Sequence, residues 1–146
     1  MTKSSLGAGS VEWMGVQYRT TLASADTNGA IAIFESISPL GSGPPRHIHQ
    51  AEDEVFFLLS GTCEFWTEGT TFTRSASEAV FVPRGASHTF RVIGTTDCHH
   101  LTILTPGGFE GFFAEMAKAK FQIPDDMAQI SEAAARFNLS FTGPPL

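Results

Sequence analysis

Two histidines one residue apart, His47-Ile48-His49, are the part of this chain best suited to chemistry. On an extended backbone, residues two apart point to the same side, so both imidazoles can reach one point. Glu54 follows beyond the polar stretch Gln50-Ala51-Glu52-Asp53. Its parity is opposite to that of His49, so the chain must turn between them for the carboxylate to reach the same place. His88 comes from a distant hairpin, just after Pro83-Arg84-Gly85-Ala86-Ser87. Three imidazoles and one carboxylate suit a first-row divalent metal. His47, His49, Glu54 and His88 are therefore the candidate ligands for one divalent transition metal per chain. Mn, Fe, Co, Ni, Cu and Zn all accept such a set.

The elements that must carry these groups are mostly short strands. Val16 to Leu22 and Ala30 to Ile37 read as strands, separated by the turn signal Asp26-Thr27-Asn28-Gly29. The run Pro39 to Pro45 is too rich in Pro and Gly for regular structure. Val55 to Leu59 is a continuous apolar run, as expected for a strand buried on both faces. Cys63 to Thr67, Thr70 to Thr73, Ala79 to Val82, Thr89 to Ile93 and His99 to Thr105 follow at close spacing, punctuated by Gly and Pro. Seven or more short strands predict an all-β sandwich or barrel. Residues 1–10 are polar and Gly/Ser-rich and are expected to be flexible; the barrel is expected over 11–105. Residues 106–146 are expected to form a C-terminal helical extension. Phe109, Phe112, Phe113 and Met116 recur at helical spacing, and so do Met127, Ile130, Ala134 and Phe137 after Pro124-Asp125. The two helices are read as a lid or buttress on the β unit, within a single domain.

Composition narrows the function classes. The chain has 146 residues, 42% hydrophobic and 16% charged, enough to bury a core. A net charge of −6 argues against non-specific nucleic acid binding and against an anionic membrane surface. No apolar run is long enough to span a bilayer, and the N-terminus lacks the apolar stretch of a signal peptide. Cys63 and Cys98 are too few for a disulfide framework and are read as half-buried free thiols in a reducing cytoplasm.

On these residues the chain resembles the cupin superfamily. The superfamily's first motif, G(X)5HXH(X)4E(X)6G, is matched fully by Gly41, His47, His49, Glu54 and Gly61. The second, G(X)5PXG(X)2H(X)3N, is matched at Pro83, Gly85 and His88, with Ser77 in place of the leading Gly and Val92 in place of the final Asn. Neither departure removes a metal ligand. The segments GSGPPRHIHQAEDEVFFLLSG, VFVPRGASHTF, LTPGGFEGFF and TGPPL further resemble small single-domain bacterial cupins described as quercetin-dioxygenase-like. The resemblance implies a cupin jelly-roll β-barrel with the metal inside, held by His47, His49, Glu54 and His88. It implies subunit pairing, hence a homodimer. It also implies a metal-dependent dioxygenase acting on a small aromatic or enolic, flavonol-like compound, with Glu54 either accepting the substrate proton or only ligating. The same scaffold serves non-enzymatic small-molecule sensors and metal-dependent isomerases, lyases and decarboxylases.

Strand parity gives the expected pocket wall. With Glu54 inward, Phe56 and Leu58 also face in; with His88 inward, so do Phe90 and Val92. Cys63 and Phe65 share the inward face of their strand, and either Phe34 or Ile33 joins them. Such an apolar, aromatic lining suits a small aromatic or enolic ligand. Of His99 and His100, at most one enters the barrel. Arg46 and Arg84 flank ligand segments, where they either hold an anionic substrate or pair with Glu52, Asp53 or Glu78. Val55, Phe57 and Leu59 face outward and need cover from the helices or from a second subunit.

Overall fold

The computed structural model describes residues 5–146. Eleven strands and two helices follow one another: β1 (Val11–Trp13), β2 (Val16–Leu22), β3 (Ala32–Ser38), β4 (Arg46–His49), β5 (Asp53–Ser60), β6 (Thr62–Thr67), β7 (Thr70–Ser75), β8 (Ala79–Val82), β9 (His88–Ile93), β10 (Cys98–Thr105), α1 (Gly111–Ala119), α2 (Met127–Arg136) and β11 (Leu139–Gly143). The strands form two antiparallel sheets, ordered β1-β2-β3-β10-β5-β8 and β11-β4-β9-β6-β7. From β4 to β10 the chain crosses repeatedly between the sheets, a jelly-roll arrangement.

Alternation along the strands sets the inner face. Along β5, Glu54, Phe56 and Leu58 are buried while Val55 and Phe57 are half-buried. Along β3, Ala32, Phe34 and Ser36 turn inward. One buried cluster joins Phe56, Leu58, Cys63, Phe65, Val92 and Cys98 toward one end of the barrel. A second joins Phe34, Leu104 and Leu139 to the helices through Phe109, Phe112, Met116 and Ile130. Burial of such side chains contributes roughly 1.5–3 kcal/mol each.

Two turns show how backbone shape is bound to residue type. Gly61 joins β5 to β6 at φ +89°, and a Cβ there would lie 2.6 Å from the Asp97 carbonyl oxygen and 2.8 Å from Cys98 Cα. Only glycine fits this crossing between sheets. Ser77, standing where the second motif has Gly, keeps a left-handed backbone at φ 70°. Its amide N–H donates to the Leu58 carbonyl at 2.8 Å. The tight turn survives the substitution, with the serine carrying the strain.

The C-terminal segment departs from an all-helical extension. After α2, Leu139–Gly143 returns as a strand and pairs with β4, placing Leu139 opposite His49 and Phe141 opposite His47. Five residues carry too little periodicity to announce a strand; the free edge of β4 decides it. The two helices pack on β1 and β11, edge strands of the two sheets, and so close one side of the sandwich. At the other end of the chain, residues 1–4 of the segment expected to be flexible lie outside the described residues. Leu6 is buried, its N–H donates to Gln17 Oε1, and its carbonyl accepts from Arg19. No helix among the described residues is long and apolar enough to cross a membrane.

Candidate metal centre

His47 and His49 lie two apart on β4, so their side chains share the inner face. His47 is the register partner of His88 on β9. The chain leaves this sheet after His49 and enters the other at β5, which turns Glu54 back toward the histidines. All four side chains are buried, between 2% and 8% exposed. One ligand atom from each of His47, His49 and His88 lies within 4.8 Å of the others. Glu54 reaches the same point, with Oε2 3.0 Å from His49 Nε2 and Oε1 3.4 Å from His88 Nε2.

Hydrogen bonds behind the rings select their tautomers. His47 Nδ1–H donates to the Pro45 carbonyl at 2.8 Å, and His88 Nδ1–H to the Ala86 carbonyl at 3.0 Å. Each ring then presents its Nε2 lone pair to the centre, the arrangement that orients metal-ligating imidazoles. Behind His49, Nδ1 lies 3.6 Å from the carboxylate of Glu52, itself only 5% exposed. Glu52 went unrecognised as a neighbour of His49 because an acidic residue within the polar run Gln50-Ala51-Glu52-Asp53 reads as solvated surface. At the centre itself, Glu54 Oε1 and His88 Nε2 are buried and have no hydrogen-bond partner. Orphaned acceptors converging on one point are what a cation satisfies, so the donor set fits a divalent metal.

The buried carboxylate and the packing of the rings set the charge states at this centre. Burial and the neighbouring imidazoles of His88 and His49 push His47 down to about 3, keeping it neutral. For His49, burial acts downward but is outweighed by Glu54 and Glu52, which raise it to about 9. Burial raises the Glu54 carboxyl, yet His49 and His88 outweigh it and hold the group well below the usual carboxylate range. The site thus carries an ionised carboxylate among imidazoles.

A cavity of about 440 Å³ opens in front of His47, His49 and Glu54. Phe34, Phe56 and Phe90 stand on its wall, so Phe34 rather than Ile33 is the inward residue of β3. Leu58, Phe65 and Val92 face inward too, but lie outside the wall, packed in the neighbouring cluster with Cys63 and Cys98. Parity places a side chain on a face; it says nothing of depth along the barrel. Phe109, from the segment before α1, seats its ring edge-on to His49 with centroids 4.5 Å apart. His100 enters the cavity, while His99 points outward and bonds Glu35. Neither arginine holds the mouth: Arg84 pairs with Asp53, and the Arg46 guanidinium lies 4.3 Å over the Trp66 ring. Cys63 and Cys98 are fully buried rather than half-buried, with their sulfurs 3.2 Å apart.

Residues 34–104 match the family model of the cupin domain. These residues form a cupin domain. Two curated relatives align with part of this chain. Quercetin 2,3-dioxygenase of Aspergillus japonicus is 36% identical over 72 residues, covering 46% of this chain and 20% of the relative. The oxalate-binding protein of Thermotoga maritima is 30% identical over 66 residues, covering 45% of this chain and 54% of the relative. The chain thus spans a fifth and about half of these two proteins. Among solved structures, a predicted oxalate decarboxylase from Thermotoga maritima superposes with a TM-score of 0.58 at 27% identity, covering 62% of this chain and 80% of the other. The cupin domain of Schizosaccharomyces pombe Cnp3 superposes with a TM-score of 0.62 at 16% identity, covering 84% of each, which shows the fold alone.

Proposed function

We propose that this cupin is a metal-dependent dioxygenase for a small aromatic or enolic compound, with His47, His49, Glu54 and His88 as ligands to one divalent transition metal. The observation that carries this reading is the convergence of three imidazoles and an ionised carboxylate at an aromatic cavity of about 440 Å³. A metal held there by His47, His49, Glu54 and His88 would supply Lewis-acid chemistry toward a substrate oxygen and O₂. The chain's own groups do the rest. The Pro45 and Ala86 carbonyls hold His47 and His88 in the ligating tautomer. Glu54 Oε1, buried and unpartnered, is the acceptor for the proton of an enolic or phenolic hydroxyl. Phe34, Phe56 and Phe109 exclude water and stack on an aromatic ligand. The cavity wall has no Lys or Arg among the described residues, which favours a neutral aromatic over a small dianion such as oxalate.

Elemental analysis of tag-free protein, followed by O₂ uptake with enolic and ortho-hydroxylated aromatic compounds, tests the reading. The expected result is about one transition metal per chain and O₂ consumption that Glu54→Gln abolishes. Metal-loaded protein that binds such compounds without O₂ uptake or product would refute the oxygenase and leave a binding module. Product without O₂ uptake would instead favour an isomerase, lyase or decarboxylase.

The outer face of the six-stranded sheet supports a homodimer. Ile103, Val55 and Phe81 form one row across β10, β5 and β8, and Phe81 is 62% exposed. The helices pack on β1 and β11, leaving a second copy as the cover for this row. A monomer by light scattering at micromolar concentration would refute it. The two free thiols suit a reducing compartment such as the cytoplasm.

A further inference from the structure

The cavity wall formed by β3 and β10 carries a polar arc that the metal centre does not use. Ser36, Ser38, His100 and Thr102 are all buried, at most 4% exposed, and all line the cavity. Ser36 is the register partner of His100, and Thr102 lies two residues further along β10, opposite Phe34 and Phe56. One bond is internal, between Ser38 Oγ and His100 Nε2 at 3.0 Å. Three polar atoms have no partner: Ser36 Oγ, Thr102 Oγ1 and His100 Nδ1. Buried polar groups are nearly always paired, so three orphans on one cavity wall mark a place where something else completes the bonding.

Register gives the position of the arc. Glu54 faces Leu104, Phe56 faces Thr102, and Leu58 faces His100. At roughly 3.3 Å per residue, the Thr102 row lies about 7 Å from the Glu54 row and the His100 row about 13 Å from it. The Phe56 ring stands between the two polar regions, its centroid 6.3 Å from both His88 and His100. That span exceeds one benzene ring. The arc holds hydroxyls and an imidazole, with no Lys or Arg on the wall among the described residues, so it suits a neutral polar group better than a carboxylate or phosphate.

We propose that Ser36, Thr102 and His100 form a second polar subsite, binding the hydroxyl or carbonyl at the far end of a fused-ring or two-ring aromatic ligand. The near-end oxygen of that ligand faces His47, His49 and Glu54. This deepens the proposed function and rests on it for the near end only; the far end stands on the three orphaned atoms. The geometry makes the subsite a selector. A ligand lacking the distal oxygen leaves the arc unpaired, and a site built to hydrogen-bond a hydroxyl discriminates against the analogue without it.

The test is a matched pair of probes, 2,3-dihydroxynaphthalene and 2,3,6-trihydroxynaphthalene. Both present an ortho-diol to the ligand cluster, and only the second carries a distal hydroxyl. Their dissociation constants are measured by calorimetry on the wild type, with and without added Mn, Fe, Ni or Zn. The triol is expected to bind about five- to tenfold more tightly, the range of about one net hydrogen bond. In Ser36→Ala/Thr102→Val the ratio falls to near one, and Thr102→Ser retains it. Melting temperatures identify any variant that fails to fold, and the wild-type ratio keeps the test decisive without them. A ratio near one in the wild type, meaning that water alone satisfies the arc, overturns the subsite. So does a double variant that folds and keeps the preference, and so does failure of both probes to bind. A diol affinity unchanged by metal overturns the metal-centre reading instead, with the ratio still reporting on the arc.

Discussion

Acidification probes the inner wall directly through His100. Its imidazole is 4% exposed and lies against Phe56 and Phe90, with ring centroids at 6.3 and 5.5 Å. Burial, aided by His99 and only partly opposed by Glu54, pushes its pKa from 6.5 down to about 4. The folded state thus holds this ring neutral where the unfolded chain already binds a proton. Stability from this group is complete above pH 6.5 and is lost as pH falls through 4, because the unfolded state binds more protons in that window. At about 1.36 kcal/mol per pKa unit, the loss on going from pH 7 to pH 4 is about 3 kcal/mol. Other groups titrate over the same range, so the assay is a difference. Urea unfolding of the chelator-treated wild type and of His100→Gln is followed from pH 7 to pH 4, and the two stability curves are subtracted. The wild type should lose about 3 kcal/mol more than the variant, with nearly all of the divergence below pH 6.5. Parallel curves over the whole window would refute the argument, since a neutral buried imidazole cannot remain indifferent to protonation.

Three further outcomes follow from local geometry. Ser77→Gly relieves a left-handed backbone at an exposed turn and should raise stability by about 1 kcal/mol, or roughly 2–4 °C in melting temperature; an unchanged or lower melting point would show that the serine is not strained. Gly61→Ala forces a Cβ against Asp97 and Cys98 at positive φ and should cost at least about 2 kcal/mol in a denaturant melt. Cys63 and Cys98, exposed 1% and 0%, should resist a thiol reagent in the native protein and both react once it is unfolded, as counted by absorbance.

The clustering of His47, His49 and Glu54 was legible in the sequence because its signal is local. The HxH spacing on an extended strand puts two imidazoles on one side whatever the rest of the molecule does. The parity mismatch between His49 and Glu54 demands the turn that the chain makes in passing from β4 to β5. Strand limits were legible for a similar reason: Pro83, Gly94 and Pro106 interrupt pairing wherever they stand, and β8, β9 and β10 end beside them. The inward set of β5 followed from the period of two, which belongs to the backbone rather than to any partner.

What lay beyond the sequence depends on which strands meet. The return of Leu139–Gly143 beside β4 needs the open edge of another strand, some ninety residues away in the chain. Depth along the barrel separates Phe90, on the cavity wall, from Val92, which belongs to the same inward face but packs beyond it. Glu52 behind His49, and Ser36 opposite His100, acquire meaning only from residues that the sheets carry to them. Residue type and spacing determined the chemistry available to this chain, because ligand donors and strand period are properties of neighbouring residues. The shape and polarity of the space in front of those donors came from the packing of two sheets and two helices, a sum of long-range contacts that no single segment encodes.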